Sequence, residues 1–149
     1  MEINLQNRQE TFQINEQQFR ENARKILNAL ECPEAELSLV LVGDEEIAQL
    51  NEEYLGRTGP TNVIAFPMTE GDFSDVTPGL LGDVVISVET VKVQADDGGY
   101  SLEELLDFYL IHGILHLLGY DHVTSEEDAA VMDAKTTELW HMLGHQDTE

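Results

Sequence analysis

The chain has 149 residues and carries 30 Asp and Glu against 7 Lys and Arg, a formal charge of −23. That length buries enough surface for a core without disulfides, so one domain over 1–149 is expected, while so few cations exclude an extended basic groove for nucleic acid, DNA included. No apolar run approaches the roughly 18 residues of a membrane span, the N-terminus lacks a signal-peptide pattern and the single Cys32 cannot form an internal disulfide, so a cytoplasmic, reducing setting with no membrane partner is expected.

In chain order, EINLQN (2–7) alternates apolar and polar residues as a half-exposed strand does. Asn15, with Gln18 three residues on, predicts the start of an amphipathic helix carrying Phe19, Ala23, Ile26, Leu27 and Leu30. ELSLVLVG (36–43) is short, apolar and β-branched enough for a buried strand, after which Asp44 is expected to cap a helix through Ile47, Leu50 and Tyr54. NVIAF (62–66), stopped by Pro67, and GDVVIS (82–87) predict two more strands, with a helix over 88–97. The stretch between them, TEGDFSDVTPGL (69–80), is loop-like.

Ser101 and Glu104 predict a capping box for SLEELLDFYLIHGILHLLG, a helix apolar on nearly every face and hence buried, which Gly119 should end. Thr124 and Glu127 predict a second box opening a helix through Ala130, Met132 and Trp140. The expected class is α+β: a small mixed β-sheet of about four strands packed by helices, with a zincin-like helix carrying metal ligands.

That helix holds HGILHLLGYDH (112–122), whose histidines follow the ligand rhythm of the metzincin zinc proteases, H-E-x-x-H-x-x-G-x-x-H, except that Gly113 stands in place of the glutamate. His112 and His116, four residues apart on a helix, project from one face about 6 Å apart and can converge on one ion. Gly119 can turn the chain so that His122 supplies a third imidazole, leaving the fourth position of one Zn²⁺ ion open, as in catalytic zinc sites. Asp121 can orient a ligand or cap a turn. His141 and His145 share the four-residue spacing but lack a third partner, and read as surface residues.

Together with LNEEYLGRTGPTNVIAFP (50–67) and LLGDVVIS (80–87), this motif resembles the YbeY family, bacterial rRNA maturation factors described as zinc-dependent endoribonucleases. The resemblance implies that His112, His116 and His122 are the zinc ligands. It also implies a single-strand-specific endoribonuclease acting in 16S rRNA 3′ end processing, with ribosomal RNA and small-subunit or assembly proteins as partners. Leu55 stands where the family pattern has an arginine, and Asn62 where it has an aspartate, each removing a charge near the expected cleft. Arg57, two residues beyond Leu55, reads as a loop arginine without a specific role. Two other classes fit parts of the pattern: a zinc peptidase or amidohydrolase, which the missing glutamate disfavours, and a non-catalytic ribosome assembly factor with a structural zinc.

Overall fold

The computed structural model describes residues 2–32, 34–67, 80–120 and 125–145. They form β1 (Glu2–Asn7), α1 (Glu16–Ala29), β2 (Glu36–Val42), α2 (Asp44–Leu55), β3 (Val63–Pro67), β4 (Leu80–Ser87), α3 (Val88–Gly98), α4 (Leu102–Leu117) and α5 (Glu126–Met142). The described strands make one mixed sheet in the order β1-β2-β4-β3. The first three are parallel, and β3 runs antiparallel to β4 at the edge. This is the α+β architecture that the alternating units predict.

Side-chain alternation separates the two faces of the sheet. Leu37, Leu39, Leu41, Val84 and Ile86 join Phe19, Ile26 and Leu27 of α1, Val91 of α3 and much of α4 in the main core. Val42, Ile64 and Val85 form a smaller cluster on the other face with Ile47 of α2. α4 is the central helix, with nine buried residues from Leu105 to Leu117, which is why its sequence shows no clear polar stripe.

The caps follow the sequence with local exceptions. Asn15 accepts from Gln18 N, but the Gln18 side chain donates to Asn22 and does not close a box. Ser101 and Glu104 form both halves of theirs. The Asp44 cap is not made: Gly43 is the cap residue of α2, and the carboxylate of Asp44 instead accepts from the Ser87 and Thr90 hydroxyls of the α3 start. Glu89 in turn accepts from Asp44 N, so the two helix starts cap one another. α5 opens at Ser125, whose hydroxyl accepts from Asp128 N, one residue later than the expected Thr124, which lies outside the described residues.

Gly82 explains the glycine of LLGDVVIS. Its φ of 143° is accessible to few other residues, and a Cβ there would fall 2.2 Å from the Phe66 carbonyl oxygen. Glycine lets β3 approach β4 at the end where that pair begins. Among the described residues no helix is long and apolar enough to cross a membrane.

Candidate active site

α4 brings His112 and His116 to the antiparallel edge of the sheet. Their ring centroids lie 4.9 Å apart with planes at 70°, and both rings line one cavity of about 290 Å³. Its other walls are Leu55 and Arg57 at the end of α2 and just beyond, residues Asn62 to Ala65 of the β3 start, and Gly113. Two imidazoles one turn apart on a buried helix, facing one hollow, suit a single Zn²⁺ at Zn–N distances of about 2.0–2.1 Å. Among the described residues no three His, Cys, Asp or Glu side chains stand together as a metal site. The expected third ligand His122 and its neighbour Asp121 lie outside those residues.

The helix ends beside this pair. Gly119, at φ 96°, donates to the His116 carbonyl, and Tyr120 N donates to the Leu115 carbonyl at 3.0 Å, the pairing of a Schellman stop. The expected termination at Gly119 is therefore made, about two turns beyond His112 and three residues beyond His116.

Gly113 has a packing cause that its place in the motif does not reveal. A Cβ there would meet Val84 Cγ1 at 2.6 Å and Cγ2 at 3.1 Å, so α4 lies against β4 too closely for any side chain. A glutamate at this position would be driven into the sheet.

Asn62 is tied down on several sides. Its carbonyl accepts from Ser87 N at 2.9 Å, its Oδ1 accepts from Val63 N at 2.7 Å, and its Nδ2 donates to Gln94 Oε1 at 3.4 Å. The same Gln94 oxygen accepts from the Tyr109 hydroxyl at 2.8 Å, and burial raises that phenol above its ordinary range. These bonds fasten the start of β3 to α3 and α4 and so fix where the loop carrying Arg57 meets the cavity. Sequence reading missed Gln94 and Tyr109, since neither lies in the metal motif.

The electrostatics of the hollow run against those of the chain. None of its described lining residues is a carboxylate, and one is Arg57, which is exposed at the rim. Arg57 therefore does not stand in a remote loop. Leu55, at 47% exposure, offers an apolar surface to the same wall.

The C-terminal histidines differ from their expected surface role in one case. His141 is exposed, but His145 Nε2 lies 2.7 Å from Asp107 Oδ2, and its ring leans against Trp140. Asn22 of α1 donates to the same oxygen at 3.0 Å, so Asp107, only 3% exposed, joins α1, α4 and the end of α5. Burial raises its carboxyl above the ordinary carboxylate range, opposed by the hydrogen bonds from His145 and Asn22. A carboxyl raised on folding favours the folded state most below its unfolded pKa, and that contribution is lost as pH rises through the folded value. Asp107→Asn keeps an acceptor and removes the ionisation. In denaturant titrations its stability relative to the unsubstituted chain should rise from about pH 4 toward neutrality; a relative fall over that window contradicts the assignment.

The fold and the cavity define a class: an α+β protein in which a buried helix holds paired imidazoles beside the edge strand of a mixed sheet. A solved solution structure of a Thermotoga maritima protein shares the fold at a TM-score of 0.66 and 24% identity, covering 95% of this chain and 88% of that one. The family model described as Endoribonuclease YbeY matches residues 4–144. The Endoribonuclease YbeY of Syntrophotalea carbinolica is 49% identical over 93% of each chain, and that of Syntrophus aciditrophicus 45% identical over 96% of this chain and 90% of its own. The chain belongs to the endoribonuclease YbeY family.

Proposed function

We propose that this chain is a zinc-dependent endoribonuclease that cuts single-stranded RNA in small-subunit (16S) rRNA 3′ end processing and ribosome maturation, in the cytoplasm, with 1–149 working as one hydrolase domain. The observation that carries the reading is the wall of the histidine cavity: on a chain with 30 carboxylates, its described lining has none and includes an arginine. Among the described residues of that wall, a phosphodiester meets no fixed negative charge. The family relatives, each named an endoribonuclease, support the same chemistry.

His112, His116 and His122 would hold the ion. A zinc in that place supplies a water of pKa near about 7 and a Lewis acid for a phosphoryl oxygen. The chain's own residues do the rest. Arg57 can fork its guanidinium onto two phosphate oxygens and hold the scissile group at the cavity mouth. Asn62, locked by Ser87, Val63 and Gln94, keeps that loop in place. Gly113 leaves the helix face without a carboxylate, which removes both a repulsion toward phosphate and the base a peptidase needs. With few cations overall, affinity for ribosomal RNA should depend on docking to ribosomal or assembly proteins.

Arg57→Leu should raise KM for RNA about tenfold with a smaller change in kcat, and Leu55→Arg, which adds a second guanidinium to the same wall, should lower KM. Unchanged steady-state constants in both variants contradict the role given to this wall. The whole reading is tested by incubating the zinc-loaded protein with small-subunit precursor RNA, free and in the subunit, and with casein. RNA cleavage that improves in the subunit is expected. Casein cleavage points to the peptidase class, and subunit binding with no cleavage points to an assembly factor; either overturns the proposal.

A further inference from the structure

We infer that Tyr54 and Phe66 form a stacking subsite for an unpaired base of the RNA substrate, immediately across β3 from the histidine cavity; the inference rests on the ribonuclease reading above. Tyr54 is 61% exposed, the most exposed large hydrophobic residue among those described, although it sits on a helix whose Ile47 is fully buried. Its ring meets Phe66 edge to face, with centroids 5.5 Å apart and planes at 73°. Each ring is one residue from the cavity wall: Tyr54 precedes Leu55 in the last turn of α2, and Phe66 follows Ala65 on β3. Along β3, Val63 and Ala65 pack toward the α4 core while Ile64 and Phe66 pack toward α2, so a strand of RNA leaving the histidines over this edge meets the aromatic pair next.

The ground beyond the pair suits such a strand. Tyr54 and Phe66 line a groove of about 430 Å³ floored by Val40 and Val85, in which the charged residues among those described are Arg8 and Asp83. The adjoining hollow along α2 is lined by Glu45, Glu46, Glu53 and Glu89 and would turn a polyanion away. Arg8 itself is ion-paired with Glu46, so phosphate attraction in the groove is weak and affinity must come from contact with bases. An exposed aromatic face provides that contact for any base, because every base has a π-face. Unpaired bases are free to use it, whereas bases in a duplex are already stacked.

The test measures binding of a fluorescent, cleavage-resistant 2′-O-methyl oligonucleotide to the zinc-loaded protein, using an intact strand and a series with one abasic position each. Tyr54→Leu should raise Kd roughly five- to a hundredfold, the range for losing one base–aromatic stack, and Tyr54→Phe should not. One abasic position should weaken the unsubstituted chain and have no effect on Tyr54→Leu. Because Tyr54 is exposed, the denaturation midpoint of Tyr54→Leu should stay unchanged, which separates lost binding from lost folding. Equal affinities for Tyr54→Leu and the unsubstituted chain, or the same abasic profile in both, overturn the subsite alone. No binding of the oligonucleotide by the unsubstituted chain also overturns the subsite alone, whereas the ribonuclease reading falls only if precursor RNA is left uncut both free and in the subunit.

Discussion

Gly113→Ala should lower stability by about 1–3 kcal/mol, even though alanine in an open helix interior gains about 1 kcal/mol over glycine. The added methyl has nowhere to go: it would stand 2.6 Å from Val84 Cγ1, on a buried strand beneath a buried helix. The cause can be isolated, because the Val84 Cβ lies at 3.4 Å, an ordinary contact. Val84→Ala removes only the two methyls that clash. In a double-mutant cycle read by denaturant midpoints, Gly113→Ala and Val84→Ala together should cost at least about 1 kcal/mol less than the sum of the singles. Additive costs would show that the glycine is not there for this contact. Gly113→Glu, which completes the protease-like motif, should cost more still, since it also forces a carboxylate toward the sheet, and it should yield no cleavage of casein.

His116→Ala should abolish zinc binding and reduce RNA cleavage at least about a hundredfold, because losing a ligand costs no less than losing the hydrogen-bond partner of one. The fold should survive, since alanine is the best helix former and His116 is only partly buried at the cavity wall. The two effects are separable by a binding readout. Zinc at about a hundred times its Kd should stabilise the unsubstituted chain by about 2.7 kcal/mol and leave the His116→Ala chain unchanged. Equal stabilisation of both would place the ion elsewhere.

Much of the fold was legible because its signals are local. The alternation of EINLQN, the Asn15 cap, the Ser101 and Glu104 box and the all-round apolarity of α4 each depend on residues within a few positions of one another. The His112 and His116 pair was legible for the same reason: a spacing of four on a helix fixes a shared face before any tertiary structure is known. What was not legible depends on distant partners. Asp44 reads as a cap, yet its carboxylate is taken up by Ser87 at the end of β4 and Thr90 in the first turn of α3, more than 40 residues on in sequence. His145 reads as a tail residue until α4 supplies Asp107. Gly113 reads as a catalytic departure, and only the approach of Val84 shows that packing already excludes a side chain. Arg57 reads as a loop cation because its position depends on how the chain returns to begin β3, which Asn62, Gln94 and Ser87 decide.

The central claim, that the histidine cavity is a metal-dependent centre for cutting RNA, is tested most directly by metal titration of cleavage. Protein stripped by chelator is reloaded with zinc in steps and assayed on small-subunit precursor RNA, beside His116→Ala treated in the same way. Cleavage that is absent in the stripped protein, rises to a plateau at one zinc per chain and never appears in His116→Ala is the expected result. Cleavage that persists without metal, or that His116→Ala carries out at the unsubstituted rate, contradicts it.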